Sequence, residues 1–112
     1  MTGNEYQKLA VRTANKNLNF AEQLQDGCLG LTGEAGEAAD MVKKALYHGA
    51  PLDIEKLVKE LGDVMWYIAF LSDALGCPLE EVMSINIEKL KTRYPEGFSA
   101  EASAARVDVT DK

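Results

Sequence analysis

The chain has 112 residues, of which 46% are hydrophobic and 27% charged, and a formal net charge of -6. These proportions describe one ordinary globular domain, long enough for a real core, too short for two domains and too apolar for disorder. The acidic balance excludes nucleic-acid binding through a general positive field, and the longest apolar run, the eight residues Val64 to Leu71, falls well short of the ~20 that cross a bilayer.

The N-terminus, Met1-Thr2-Gly3-Asn4-Glu5, is polar and lacks a basic region followed by an apolar one, so a cytoplasmic protein without membrane association is expected. Tyr6, Leu9, Ala10 and Thr13 recur at helical spacing and predict a first helix over roughly Asn4 to Thr13. A second starts near Asn19, where Glu22 stands three residues on in capping-box position, and runs to about His48, ended by Gly49 and Pro51. Leu24, Cys28, Leu31, Ala35, Ala38, Val42 and Leu46 form its apolar stripe. Cys28 and Cys77 are far apart, without metal-type spacing, and read as buried free thiols of a reducing compartment.

A third helix follows, capped by Asp53 and stopped by Gly76. Leu57, Leu61, Val64, Ile68, Leu71 and Leu75 make one stripe, while Val58, Met65, Trp66, Ala69 and Phe70 put apolar groups on nearly every other side. A helix apolar all round must be buried all round, and so small a chain cannot enclose it. A second subunit is the simplest cover, so a homo-oligomer is expected. The fourth helix opens at Pro78 with Glu80 and Glu81 in its first turn, and ends near Tyr94 because Pro95 follows. Residues 99–112 are Ala- and Ser-rich, then polar, and predict a short helix at most before a loose tail. The fold class is therefore all-α, a bundle of about four helices completed by oligomerisation.

Two acid pairs stand out on this frame. Glu34-Ala35-Gly36-Glu37 and Glu60-Leu61-Gly62-Asp63 each span one turn, and side chains three apart point the same way. If the second and third helices pack together, four carboxylates share one pocket. One Glu-x-x-Asp beside Lys56 and Lys59 would read as a solvated face; two matched pairs favour a shared divalent-cation site. Oxygen ligands without histidine or thiolate select magnesium, with manganese as a substitute. Such an ion, leaving coordination positions to substrate phosphates, suits phosphoanhydride hydrolysis. Gly30, Gly33 and Gly36 recur every third residue of the same helix, which suits close approach of either another helix or a ligand's phosphates.

Tyr67, four residues after Asp63, shares its face and suits either packing or a hydrogen bond to a sugar or phosphate. Asn86, Lys89 and Arg93 line up along the fourth helix, where they form either a solvated face or a phosphate-holding one.

The spacing Glu34-x-x-Glu37, 22 residues from Ala38 to Lys59, then Glu60-x-x-Asp63 resembles the metal-binding signature of the MazG-like, all-α nucleoside triphosphate pyrophosphohydrolases. The flanks Gly30 to Asp40 and Lys59 to Val64 resemble that family too, as does Asn86 to Arg93 its later basic helix. The similarity covers roughly Tyr6 to Phe98, giving a domain over 1–98 and a tail over 99–112, in the manner of compact single-unit members.

The resemblance implies a dimer or a dimer of dimers, with magnesium held by Glu34, Glu37, Glu60 and Asp63. It implies hydrolysis of a ribo- or deoxyribonucleoside triphosphate to the monophosphate and pyrophosphate, with water attacking the α-phosphorus and Glu34 or Glu37 helping to take its proton. Lys89 and Arg93 would hold phosphates, and Asn86 and Tyr67 would contact sugar or phosphate. Two other readings compete: a phosphoribosyl-ATP pyrophosphohydrolase of the same superfamily, and a non-enzymatic helical module whose Val64 to Leu71 surface binds another protein. A module of that kind has no need of acids at matching spacing on two helices.

Overall fold

The computed structural model describes residues 1–105 and contains five helices there: α1 (Gly3–Val11), α2 (Phe20–Tyr47), α3 (Ile54–Ala74), α4 (Leu79–Arg93) and α5 (Ala100–Ala105). The chain divides into two compact units, Met1–Leu79 and Glu80–Lys112. The all-α expectation holds, with helix ends within about two residues of those read from the sequence. No described helix is long and apolar enough to cross a membrane.

Local chemistry sets those ends. Asn19 Oδ1 accepts from the Glu22 N–H and Glu22 Oε1 from the Asn19 N–H, both at 2.9 Å, a complete capping box. Asp53 Oδ1 accepts from the Lys56 N–H at 3.0 Å. At the end of α3, Gly76 takes φ of +69°, while the Cys77 N–H reaches Ser72 O at 2.8 Å and the Gly76 N–H reaches Asp73 O at 2.9 Å. That Schellman closure needs a left-handed residue, which glycine adopts without a Cβ penalty.

In the first unit α3 is the hub, with α2 and α1 packed against it. The α2–α3 pair is an antiparallel hairpin whose seam follows a heptad on both sides. Leu24, Gly27, Leu31, Glu34, Ala38, Met41 and Ala45 line it from α2; Leu57, Glu60, Val64, Tyr67 and Leu71 line it from α3. Glycine makes the close approach possible at two places. A Cβ on Gly27 would overlap the Leu71 side chain, and one on Gly30 would overlap the Tyr67 ring.

This seam corrects the α2 stripe read from the sequence. Leu24, Leu31 and Ala38 do face inward, but Cys28, Ala35, Val42 and Leu46 are exposed, and Gly27, Glu34, Met41 and Ala45 take their places. Cys28 is therefore not a buried thiol in the single chain, and Cys77 is half-buried; neither is in a disulfide.

The opposite side of α3 holds α1. Ala10, Ala69 and Leu79 form a small buried cluster flanked by Tyr6 and Trp66. The Trp66 indole N–H donates to Ala10 O at 3.0 Å and Thr13 Oγ1 at 2.9 Å, while its ring stacks on Phe70 and meets Tyr67 edge-on. Buried Gln7 is a polar latch: its amide donates to Ala69 O at 3.3 Å and Cys77 O at 3.1 Å, and its Oε1 accepts from the Leu79 N–H at 2.9 Å.

α3 is not enclosed within one chain. Ala69, Phe70 and Ser72 are buried, but Val58, Leu61, Met65, Ile68 and Leu75 remain exposed. In the second unit, Arg93 lies 5.8 Å over the Tyr94 ring, which in turn tilts against Phe98. α5 supplies the short helix expected there, and residues 106–112 of the expected tail lie outside the described residues.

Gln7→Leu should lower unfolding stability by about 1–3 kcal/mol, because the buried Leu79 N–H loses its acceptor while the Ala69 and Cys77 carbonyls each lose one donor. Chemical denaturation followed by circular dichroism measures this, and an unchanged midpoint would refute the latch.

Candidate functional site

Because Glu34 and Glu60 occupy seam positions, the hairpin drives their carboxylates toward each other. One oxygen from each of Glu34, Glu37 and Glu60 lies within 4.8 Å of the other two. Asp63 stands outside that trio. It lines a cavity of about 320 Å³ with Glu34, Trp66 and Tyr67. On the other flank a cavity of about 400 Å³ is lined by Glu37, Asp40, Met41, Lys44, Lys56 and Glu60.

Like charges this close cannot all ionise cheaply. The Glu34 carboxyl is pushed up to about 7, first by sharing a hydrogen bond with Glu60, then by partial removal from water and the charges of Glu37, Asp63 and Glu60. Glu60 Oε2 is buried with no hydrogen-bond donor. A buried, unpaired carboxylate oxygen is expensive unless a proton or a cation meets it.

Both observations fit a divalent ion. Ligand oxygens ~2.1 Å from magnesium lie within roughly 4.2 Å of one another, close to the observed spread, and an all-oxygen donor set suits magnesium or manganese. Glu34, Glu37 and Glu60 could hold such an ion, with Asp63 beside them.

Burial and the charges of Asp26, Glu34 and Asp63 raise the Tyr67 phenol. It therefore stays protonated at neutral pH, as a donor at the edge of the cluster. Asn86, Lys89 and Arg93 all lie on α4.

Trp66, an aromatic suited either to core packing or to recognition of the base, lines the cavity beside Asp63 with its indole N–H held by Ala10 O and Thr13 Oγ1. Two other groups lining these cavities escaped the sequence reading. Asp40 and Lys44, a four-residue pair joined at 2.8 Å, carried only the signal of an ordinary surface ion pair. Lys56, one turn before Glu60, read as a solvated neighbour. Of the three glycines recurring from 30 to 36, Gly30 meets Tyr67, whereas Gly33 and Gly36 face open space.

Paired helices that bring three carboxylates within 4.8 Å of one another define a candidate divalent-cation centre. Residues 23–98, well over half of the chain, match the MazG nucleotide pyrophosphohydrolase domain, and the chain belongs to that family. It is similar to the Gene 37 protein of Mycobacterium phage L5, with 42% identity over 73 residues, 62% of this chain and 64% of the phage protein. It is also similar to the uncharacterized protein YvdC of Bacillus subtilis (strain 168), with 45% identity over 40 residues, 36% of this chain and 38% of that protein. The matched segments thus span less than two thirds of both relatives. No solved structure matches the chain.

The raised Glu34 carboxyl sets a pH dependence. The folded protein keeps a proton there up to about pH 7, whereas the unfolded chain releases it in the ordinary carboxylate range. This contribution therefore favours the fold at low pH and is lost as pH rises through about 7. Metal-free protein should melt at lower temperature as pH rises from about 5 to 8, and Glu34→Gln should flatten that trend. Magnesium should restore the melting temperature most at the alkaline end, where no proton competes. A magnesium effect independent of pH across that range would contradict the shared-proton cluster.

Proposed function

We propose that the chain hydrolyses a nucleoside triphosphate to the monophosphate and pyrophosphate in a magnesium-dependent reaction. The observation that carries this is the meeting of Glu34, Glu37 and Glu60 within 4.8 Å on two packed helices, inside a domain of the nucleotide pyrophosphohydrolase family. Magnesium, with Glu34, Glu37, Glu60 and Asp63 as ligands, would neutralise phosphate charge and make a water more acidic.

The protein's own groups account for the remaining steps. Water oxygen attacks the α-phosphorus, the bond from that phosphorus to the bridging oxygen of the β-phosphate breaks, and pyrophosphate leaves. Glu34 or Glu37 takes the water's proton. A Glu34 carboxyl balanced near pH 7 in the metal-free cluster supports proton handling by this group of acids. Tyr67 donates to the sugar or a phosphate, Asn86 contacts the same region, and Lys89 and Arg93 bind phosphate oxygens. The working domain extends over 1–98, and a cytoplasmic nucleotide pool is its natural setting.

The active form is a homodimer or homotetramer. What supports this is the unbroken apolar line Val58, Leu61, Met65 and Ile68 on the outer face of α3, together with Leu29 and Leu46 on α2, all exposed in one chain.

Purified protein with magnesium should release pyrophosphate from at least one member of a panel of canonical and modified nucleoside triphosphates, and chelator should abolish it. Glu37→Gln and Asp63→Asn should each lower kcat by at least about a hundredfold while melting no earlier than wild type. No release across the panel would refute the proposal, and full activity in both variants would remove those two residues from it. Light scattering on a sizing column should give an oligomer; a clean monomer would contradict the assembly.

A further inference from the structure

The two cavities flanking the acid cluster differ in chemistry. One presents Trp66 and Tyr67 beside Glu34 and Asp63, two aromatic side chains with negative charge and no cation among its lining residues. The other presents Lys44 and Lys56 beside Glu37, Asp40 and Glu60. The same two lysines, with Met41, also line the adjoining hollow of about 230 Å³ that reaches Ala50 and Pro51. The lysine side is therefore a continuous groove running from the carboxylates toward the α2–α3 loop, with both cations along it.

The lysine heads are free to change partners. Lys44 is tied only to Asp40, four residues away on the same exposed helix face, a kind of pair that contributes little and is readily exchanged. Lys56 has its backbone N–H capped by Asp53, and its ammonium forms no ion pair among the described residues. Lys44 and Lys56 partly offset the acids Glu37, Asp40 and Glu60 that line the same cavity, whereas the aromatic cavity carries two acids and no lining cation. Of the two flanking cavities, it is this lysine-lined one that offers cations to a polyanion emerging from the cluster. The aromatic side suits a planar, uncharged group and a sugar hydroxyl.

We infer that the substrate has a fixed polarity in the α2–α3 groove: its departing pyrophosphate lies against Lys44 and Lys56, and its nucleoside lies toward Trp66 and Tyr67. This rests on the triphosphate-hydrolysis reading and adds to it the residues that recognise the polyphosphate end. Asp40 is then a positioning residue, keeping the Lys44 head over the groove until phosphate replaces it.

Calorimetric titration of full-length protein with magnesium pyrophosphate tests this without turnover. Lys44→Met and Lys56→Met should each weaken pyrophosphate binding by at least about tenfold, while Lys44→Arg retains it. Lys43→Met removes the same charge from outside both cavities and should leave affinity unchanged. The monophosphate product of the best panel substrate should bind all variants as it binds wild type. Three results would overturn the assignment: no pyrophosphate binding by wild type, equal affinities in the Met variants, or an equal loss in Lys43→Met. Loss of monophosphate rather than pyrophosphate affinity would reverse the polarity and overturn it too. A protein that hydrolyses triphosphates yet gives one of these results refutes the polarity alone, whereas absence of hydrolysis refutes the enzymatic reading by itself.

Discussion

Electrostatic repulsion among Glu34, Glu37 and Glu60 is the constraint around which the first unit is arranged. The α2–α3 seam forces it: two helices that pack through a heptad must bring whatever occupies the seam into contact, and here two of those positions are glutamates. Hydrophobic contacts at Leu24, Leu31, Val64 and Leu71 hold the helices together on the Gly27 side of the acids, and Met41 and Leu57 do so toward the loop. The favourable packing thus sustains an unfavourable concentration of charge, a common arrangement at sites built for a ligand. The shared proton on Glu34 and the donorless Glu60 Oε2 are two expressions of the same imbalance.

Glycine decides how near the helices come. Each glycine inside a helix costs roughly 1 kcal/mol relative to alanine, yet Gly27 and Gly30 let Leu71 and Tyr67 lie directly on the α2 backbone. Tyr67 is thereby fixed between α2 and Trp66, with its phenol at the edge of the acids. The Gln7 latch and the Trp66 hydrogen bonds tie α1 to the far side of α3. The aromatic wall of the site is thus anchored through the small core cluster, so site and core are mechanically one object.

The unit also explains why a single chain looks unfinished. In the first unit α2 and α1 cover two sides of α3, whereas its apolar residues continue onto a further side through Val58, Leu61, Met65 and Ile68. Membership in the MazG family and this uncovered face bear on different questions. The first concerns the chemistry of the acids, and the second concerns what surrounds the helices that carry them.

Much was legible in the sequence because it is encoded locally. The Asn19 capping box, the Asp53 cap and the Gly49 and Gly76 stops fixed the long helices, since each motif satisfies backbone groups within a few residues of itself. The two acid pairs were legible for the same reason, one helical turn being a fixed distance. Tertiary structure alone decided which side of α2 faces α3, for apolar residues at 28, 35, 42 and 46 compete with an inward line through 27, 34, 41 and 45. It also decided that three acids converge while Asp63 stands beside them, and that Lys44 and Lys56 share a cavity. Such facts depend on the rotation and offset of one helix against another, which periodicity within a single helix does not record.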